Sequence, residues 1–183
     1  MPSMTHRARR AFLLLLLVPA CARAAVPTEP AASVPPGVPA ANATTAALLP
    51  TTVDALPDAD LATFRSLLDQ VRGTPLVVNV WASWCGPCQE EAPRMAAAAR
   101  ANPDVQFLGI DILDTRVSGR AFLTEHGWTF PSLFDATGAI RDGLGLLGQP
   151  VTLFYGADGT LVASYTGPIP EEELAAGIAA IAV

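Results

Sequence analysis

The chain has 183 residues, 51% hydrophobic and 15% charged, with a net charge of −6 and no lysine among its eleven basic side chains. Four arginines fall in the first 24 residues, so residues 25–183 carry seven arginines against all seventeen carboxylates, a net −10. That balance excludes a nucleic-acid partner, which needs a basic footprint.

The first 24 residues follow the logic of an export signal. Arg7, Arg9 and Arg10 form a basic start, Ala11 to Val18 is apolar, and Ala22-Arg23-Ala24 offers a small-x-small cleavage site. The apolar run falls well short of the ~20 residues that span a bilayer. Two ends for this leader compete. Cleavage after Ala24 frees the chain, whereas Val18-Pro19-Ala20-Cys21 resembles a lipobox in which Cys21 takes a lipid anchor. Arg9-Arg10 resembles a twin-arginine signal, but the Leu-rich core suits the general secretory route better. From residue 25 to Pro50 the chain is rich in Ala, Pro and Thr and too poor in large apolar residues to bury a core, so it reads as a tether.

The 133 residues from Thr51 onward suit one domain. Asp60 to Arg72 has helical spacing of Leu61, Phe64, Leu67, Leu68 and Val71, with Asp58 or Asp60 as N-cap and Gly73 as the stop. Pro75 to Trp81 is a continuous apolar run, as in a strand covered on both faces. Glu90 to Arg100 is helical by its alanines, and Val105 to Ile110 is a second buried strand closing at Asp111. Strand, helix and strand at this length form a βαβ unit. Further on, the pattern predicts a helix over Val117 to His126, a short strand over Ser132 to Phe134 and a Gly-broken helix over Ile140 to Leu146. Val151 to Tyr155 and Leu161 to Thr166 flank Ala157-Asp158-Gly159 as a hairpin, and Glu171 to Ala182 closes as a helix. The sum is a mixed sheet with helices on both faces.

Trp84-Cys85-Gly86-Pro87-Cys88 lies where the first strand gives way to helix. Free N–H groups and the positive end of the helix dipole stabilise a thiolate there, so the pair reads as a redox site with Cys85 as nucleophile and Cys88 as resolving thiol. A permanent staple is the alternative, but so short a loop constrains the unfolded chain little. A zinc half-site lacks a second pair of ligands. Pro87 suits the first helical turn, where no N–H is missed. Pro93, inside the helix, removes the bond to the Gln89 carbonyl and predicts a kink. Glu91, three residues after Cys88, lies on the same helical flank, where burial would raise its pKa and fit it for proton transfer during resolution. Glu90 is its solvated neighbour. Trp84 flanks the thiol on the surface, Trp81, Trp128, Phe130 and Phe134 read as core, and His126 as a solvated helix end.

The order βαβ then ββα, with WCGPC at the first helix, resembles the thioredoxin fold. Within it the chain is similar to the exported TlpA/ResA-like thiol-disulfide oxidoreductases. Asn79 stands where cytoplasmic thioredoxins carry a buried aspartate, Glu91-Ala92-Pro93 completes a C-x-x-E-x-P pattern, and Asp111 to Gln149 leaves room for an inserted strand and helix. Gly148-Gln149-Pro150-Val151-Thr152 followed by Asp158-Gly159 matches the branch's loop, strand and turn. The resemblance implies that Pro150 is a cis-proline resting against the thiols, and that Trp84, Gly86, Pro87, Gln149 and Pro150 support the substrate. It implies a Cys85–Cys88 redox disulfide, no cofactor and no metal. It further implies protein disulfides as substrates outside the cytoplasm, in haem-attachment or copper-site maturation, and a membrane thiol-disulfide electron donor. A disulfide-forming oxidant is the alternative. A copper chaperone would need wider cysteine spacing and a distal histidine, and a peroxiredoxin a threonine ahead of a lone cysteine.

Overall fold

The computed structural model describes residues 47–182. The expected leader, the lipidation candidate Cys21 and the tether up to residue 46 lie outside the described residues. In chain order come α1 (Leu61–Gln70), β1 (Leu76–Trp81), α2 (Gly86–Ala101), β2 (Gln106–Ile112) and α3 (Arg116–Glu125). After them come β3 (Ser132–Asp135), α4 (Ala139–Gly143), β4 (Val151–Tyr155), β5 (Leu161–Thr166) and α5 (Glu171–Ile181). The strands form one mixed sheet in the order β3-β2-β1-β4-β5. β1, β2 and β3 run parallel, while β4 and β5 are antiparallel additions on the other side of β1. The expected insertion is present as β3 and α4, after α3, within residues 111–149.

β1 is buried throughout because it is the central strand, apolar except for Asn79, and its alternation divides the core in two. Leu76, Val78 and Val80 join Phe64 and Leu67 of α1 and Ile140 of α4 on one face. Val77 and Trp81 join α2, Phe122 and Leu123 of α3, and Leu174, Ile178 and Ile181 of α5 on the other. There Trp81 stacks on Phe122 with ring centroids 4.3 Å apart, and Trp128 and Phe130 pack beside them, as expected of core aromatics. Leu48 and Leu49, counted with the tether in the sequence, pack on the α1 side of the sheet, so the domain's packing begins before Thr51.

Several boundaries move for identifiable reasons. Asp60 is the N-cap of α1 and accepts from the Thr63 N–H, and Gly73 turns the chain at φ +97°. α2 starts at Gly86, four residues before its alanine content predicts, because first-turn residues have no intrahelical N–H bond to lose and Pro87 fits there. It also continues past Pro93, which is exposed, and remains one helix to Ala101. β2 extends to Ile112, and α4 stops at Gly143, shorter than expected, with Gly145 at φ +70° just beyond.

Candidate active site

β1 delivers the chain to the edge of the sheet at Trp81, and a turn through Ser83 and Trp84 sets Cys85 as the N-cap of α2. The turn is held from several sides. The Cys85 N–H donates to the Ala82 carbonyl at 3.1 Å, and the Gln89 side-chain amide donates to the Ser83 carbonyl at 2.7 Å. The Ser83 N–H donates to Asp114 Oδ2 at 2.6 Å. Trp84, 57% exposed, anchors its indole N–H on the Leu113 carbonyl at 3.0 Å. Leu113 has φ +52°, in the left-handed region that a leucine rarely occupies.

Cys85 and Cys88 are joined in a disulfide, with Cα atoms 5.2 Å apart. The Cys88 N–H, in the first turn of α2, points at Cys85 Sγ at 3.3 Å. This is the contact through which a helix start stabilises a thiolate on its cap residue. Cys85 is the more accessible sulfur, but at 5% against 1% both are largely covered. Cys85 is therefore a rim thiol, packed with Cys88 at the border of the core on that face. Gly86 and Pro87 are exposed beside it.

The Gln149–Pro150 peptide is cis, as the resemblance implies. Pro150 is buried and Gln149 half-buried. β4 pairs with β1 through Val80 and Val151, so the same register carries Pro150 to the end of β1 from which the Cys85 turn departs. Its carbonyl accepts from the Gly167 N–H at 2.9 Å.

Beneath the helix start, Glu91 is 1% exposed, whereas Glu90 faces solvent. Glu91 Oε1 accepts from the Asn79 side-chain amide at 2.8 Å, and Oε2 from the Ile169 backbone N–H at 2.9 Å. Asn79 also donates to Thr152 Oγ1 at 3.3 Å, so the central strands and α2 meet at one polar knot. Burial raises the Glu91 pKa above the ordinary carboxylate range; the Ile169 and Asn79 hydrogen bonds and the Arg94 charge pull it back only in part. His126 is the C-cap of α3, half-buried against the Phe122 ring, and among the described residues no cluster of His, Cys, Asp or Glu is arranged to hold a metal.

Sequence reasoning passed over the Asp111–Asp114 pair at the end of β2. Asp111 is completely buried, and burial together with the Asp114 charge pushes its pKa up to about 9. Its only signal in the sequence is an aspartate closing an apolar strand, which reads as a loop boundary.

A mixed five-stranded sheet with a cysteine pair at the N-terminus of a helix and a cis-proline at the same end of the strands defines a thioredoxin-like protein. The model of the AhpC/TSA family matches residues 52–164, and the chain belongs to that family. It is 34% identical over 113 residues to the soluble secreted antigen MPT53 of Mycobacterium tuberculosis, covering 61% of this chain and 65% of that protein. To the thiol-disulfide oxidoreductase ResA of Bacillus subtilis it is 25% identical over 109 residues, covering 58% and 61%. The matched part thus spans less than two thirds of either relative. Among solved structures it resembles a secreted Mycobacterium tuberculosis disulfide oxidoreductase described as homologous to Escherichia coli DsbE. The TM-score is 0.57 at 33% identity, covering 61% of this chain and 85% of that one.

Proposed function

We propose that this protein is an exported thiol-disulfide oxidoreductase that reduces disulfides in other proteins through Cys85 and Cys88. The observation that carries the reading is the Cys85–Cys88 disulfide at the N-cap of α2, where the helix start favours the thiolate on the outer sulfur. The Cys85 thiolate attacks one sulfur of a substrate disulfide and expels the other as a thiolate, leaving a mixed disulfide. Cys88 then loses its proton and attacks Cys85, releasing the second substrate sulfur. Two electrons pass to the substrate, and the protein is left with the bond seen here.

Glu91, buried with a raised pKa, is a base suited to take the Cys88 proton, and Asn79 orients it. Trp84, Gly86 and Pro87 on one side and Gln149 with Pro150 on the other form the rim against which a substrate segment lies. Regeneration requires a second dithiol, and a membrane thiol-disulfide transporter supplies it in this reading. In this reading the leader directs export, and the domain ends either free or lipid-anchored at Cys21. The relative MPT53 is named as secreted, which supports export. Reduction of haem-attachment or copper-site cysteines is the substrate class that the TlpA/ResA-like resemblance implies.

The test is trapping. With glutathione disulfide, Cys88→Ser accumulates a protein–glutathione adduct on Cys85, because attack survives and resolution does not. Cys85→Ser gives far less adduct, since Cys88 is 1% exposed. Equal trapping by both variants, read by intact mass, contradicts the assignment of roles.

A further inference from the structure

We propose that Asp111 and Asp114 share one proton beneath the β1–α2 turn, and that this acid–carboxylate pair positions Cys85 by holding Ser83. Asp111 ends the β1–β2 register opposite Trp81, the last residue of the strand that leads to the cysteines. Its carboxyl is fully buried, and neither oxygen accepts a hydrogen bond from any donor among the described residues. Space around it is closed: a Cβ added at Gly119 of α3 would lie 2.2 Å from Asp111 Oδ2. A buried carboxylate with two unpaired oxygens is among the costliest arrangements a protein can hold, and a proton removes that cost by turning an acceptor into a donor. The acceptor is Asp114, whose side chain interacts with the Asp111 carboxyl. Its own oxygens already take the Ser83 N–H and the Thr115 N–H, both at 2.6 Å, so each already accepts from a backbone donor.

Among the described residues no cation is placed to replace that proton. From β3 the register neighbour is Phe134, and from the segment before α1 Leu56 comes within 3.2 Å of the same Cβ position at Gly119. Arg116 of α3 is engaged by the Leu56 carbonyl and Asp58, and Arg120 by the Asp54 and Ala55 carbonyls. Glu91 of α2 is committed to Asn79 and Ile169, and Asp135 of β3 to backbone N–H groups of residues 137, 139 and 140. The pKa of Asp111, pushed up to about 9 by burial first and the Asp114 charge second, agrees with the geometry. Below that value the pair is a stable clamp. Above it two carboxylates face each other, Asp114 is driven off Ser83, and the turn that presents Cys85 loosens. Asp111 is thus a positioning residue acting through Asp114, and its consequence for chemistry rests on the thiol–disulfide reading of Cys85.

Carbon-13 NMR of the side-chain carboxyls in the intact oxidised protein, with amide exchange at Ser83, tests the pair without assaying activity. We expect the Asp111 carboxyl to be protonated at pH 7 and to titrate near pH 9, with Ser83 protection falling ~10-fold in step. In Asp111→Asn, whose amide donates to Asp114 without ionising, Ser83 protection should stay level across this range. Asp114→Ala should lose it at every pH and slow alkylation of reduced Cys85 by ~3-fold. An Asp111 carboxyl that ionises below pH 6, or Ser83 protection unaffected by Asp114→Ala, overturns the proposal. Because the titration is read on the unaltered chain, a variant that fails to fold leaves it decisive. Failure of glutathione trapping with the titration as expected supports the acid pair and removes the thiol reading instead.

Discussion

At Glu91 the hydrogen bonds dictate what a substitution can do. Both of its oxygens accept, from Asn79 and from the Ile169 N–H, so Glu91→Gln must turn an amide N–H₂ toward one of two donors. We expect the variant to lose ~1–3 kcal/mol of stability, the cost of an unpaired buried donor, and to resolve mixed disulfides more slowly. Its reduced thiols should titrate at lower pH, because a nearby carboxylate charge has gone. Adding Asn79→Asp supplies an acceptor for the new amide and should recover most of the stability; denaturant unfolding of the single and double variants decides this. The C-x-x-E spacing pointed to Glu91 and the family likeness singled out Asn79, but the bond between them was not legible in the sequence. The second partner of Glu91, Ile169, lies 78 residues away and carries no side-chain signal.

Asp111 gives a stability prediction with a definite sign. A carboxyl whose folded pKa is raised from 3.8 to about 9 binds its proton more tightly when folded, so its contribution favours the fold at low pH. That contribution is lost as pH rises from about 4 toward 9. Asp111→Asn does not titrate. Relative to wild type its melting temperature should be unchanged near pH 4 and higher by at least ~3 °C at pH 7, equivalent to ~1 kcal/mol. A gap between the two melting curves that is independent of pH contradicts this.

Among the elements, α2 is tied to the chain that enters α5. The Ile169 carbonyl accepts from Arg94 at 2.5 Å while its N–H donates to Glu91, so one backbone unit is gripped by two side chains of one helix. α5 itself lies so close to β4 that a Cβ at Gly177 would come within 2.3 Å of the Phe154 ring. Gly177→Ala should therefore destabilise the domain by ~1–3 kcal/mol despite its better helix propensity, measured by chemical unfolding. Element type was legible throughout, because the apolar runs at residues 75–81 and 105–110 and the helical spacing at 61–71 are unambiguous. Element ends were less so. Alanine content misses a helix start built from Gly86 and Pro87, and the strand extension to Ile112 depends on pairing with β3, through Ile112 and Asp135, which is a tertiary fact.

For the whole molecule, the sheet order places the Cys85 turn, the Glu91–Asn79 knot, the Gln149–Pro150 cis peptide and the Asp111–Asp114 pair at or beneath one end of the central strands. Residues 149–150 reach that end only because β4 returns antiparallel beside β1. The motif order suggested this arrangement, and the family likeness narrowed it. The direction of electron flow follows from neither, since it depends on the potential of the pair against its compartment. An equilibrium titration of Cys85 and Cys88 against glutathione and dithiothreitol buffers, read by alkylation and mass, measures that potential. The account predicts one reversible two-electron transition in the folded protein at the reducing end of the thioredoxin-like range, around −270 mV. A potential near −120 mV, that of a strong oxidant, contradicts the reductive assignment. A disulfide that opens only when the domain unfolds contradicts the redox reading altogether.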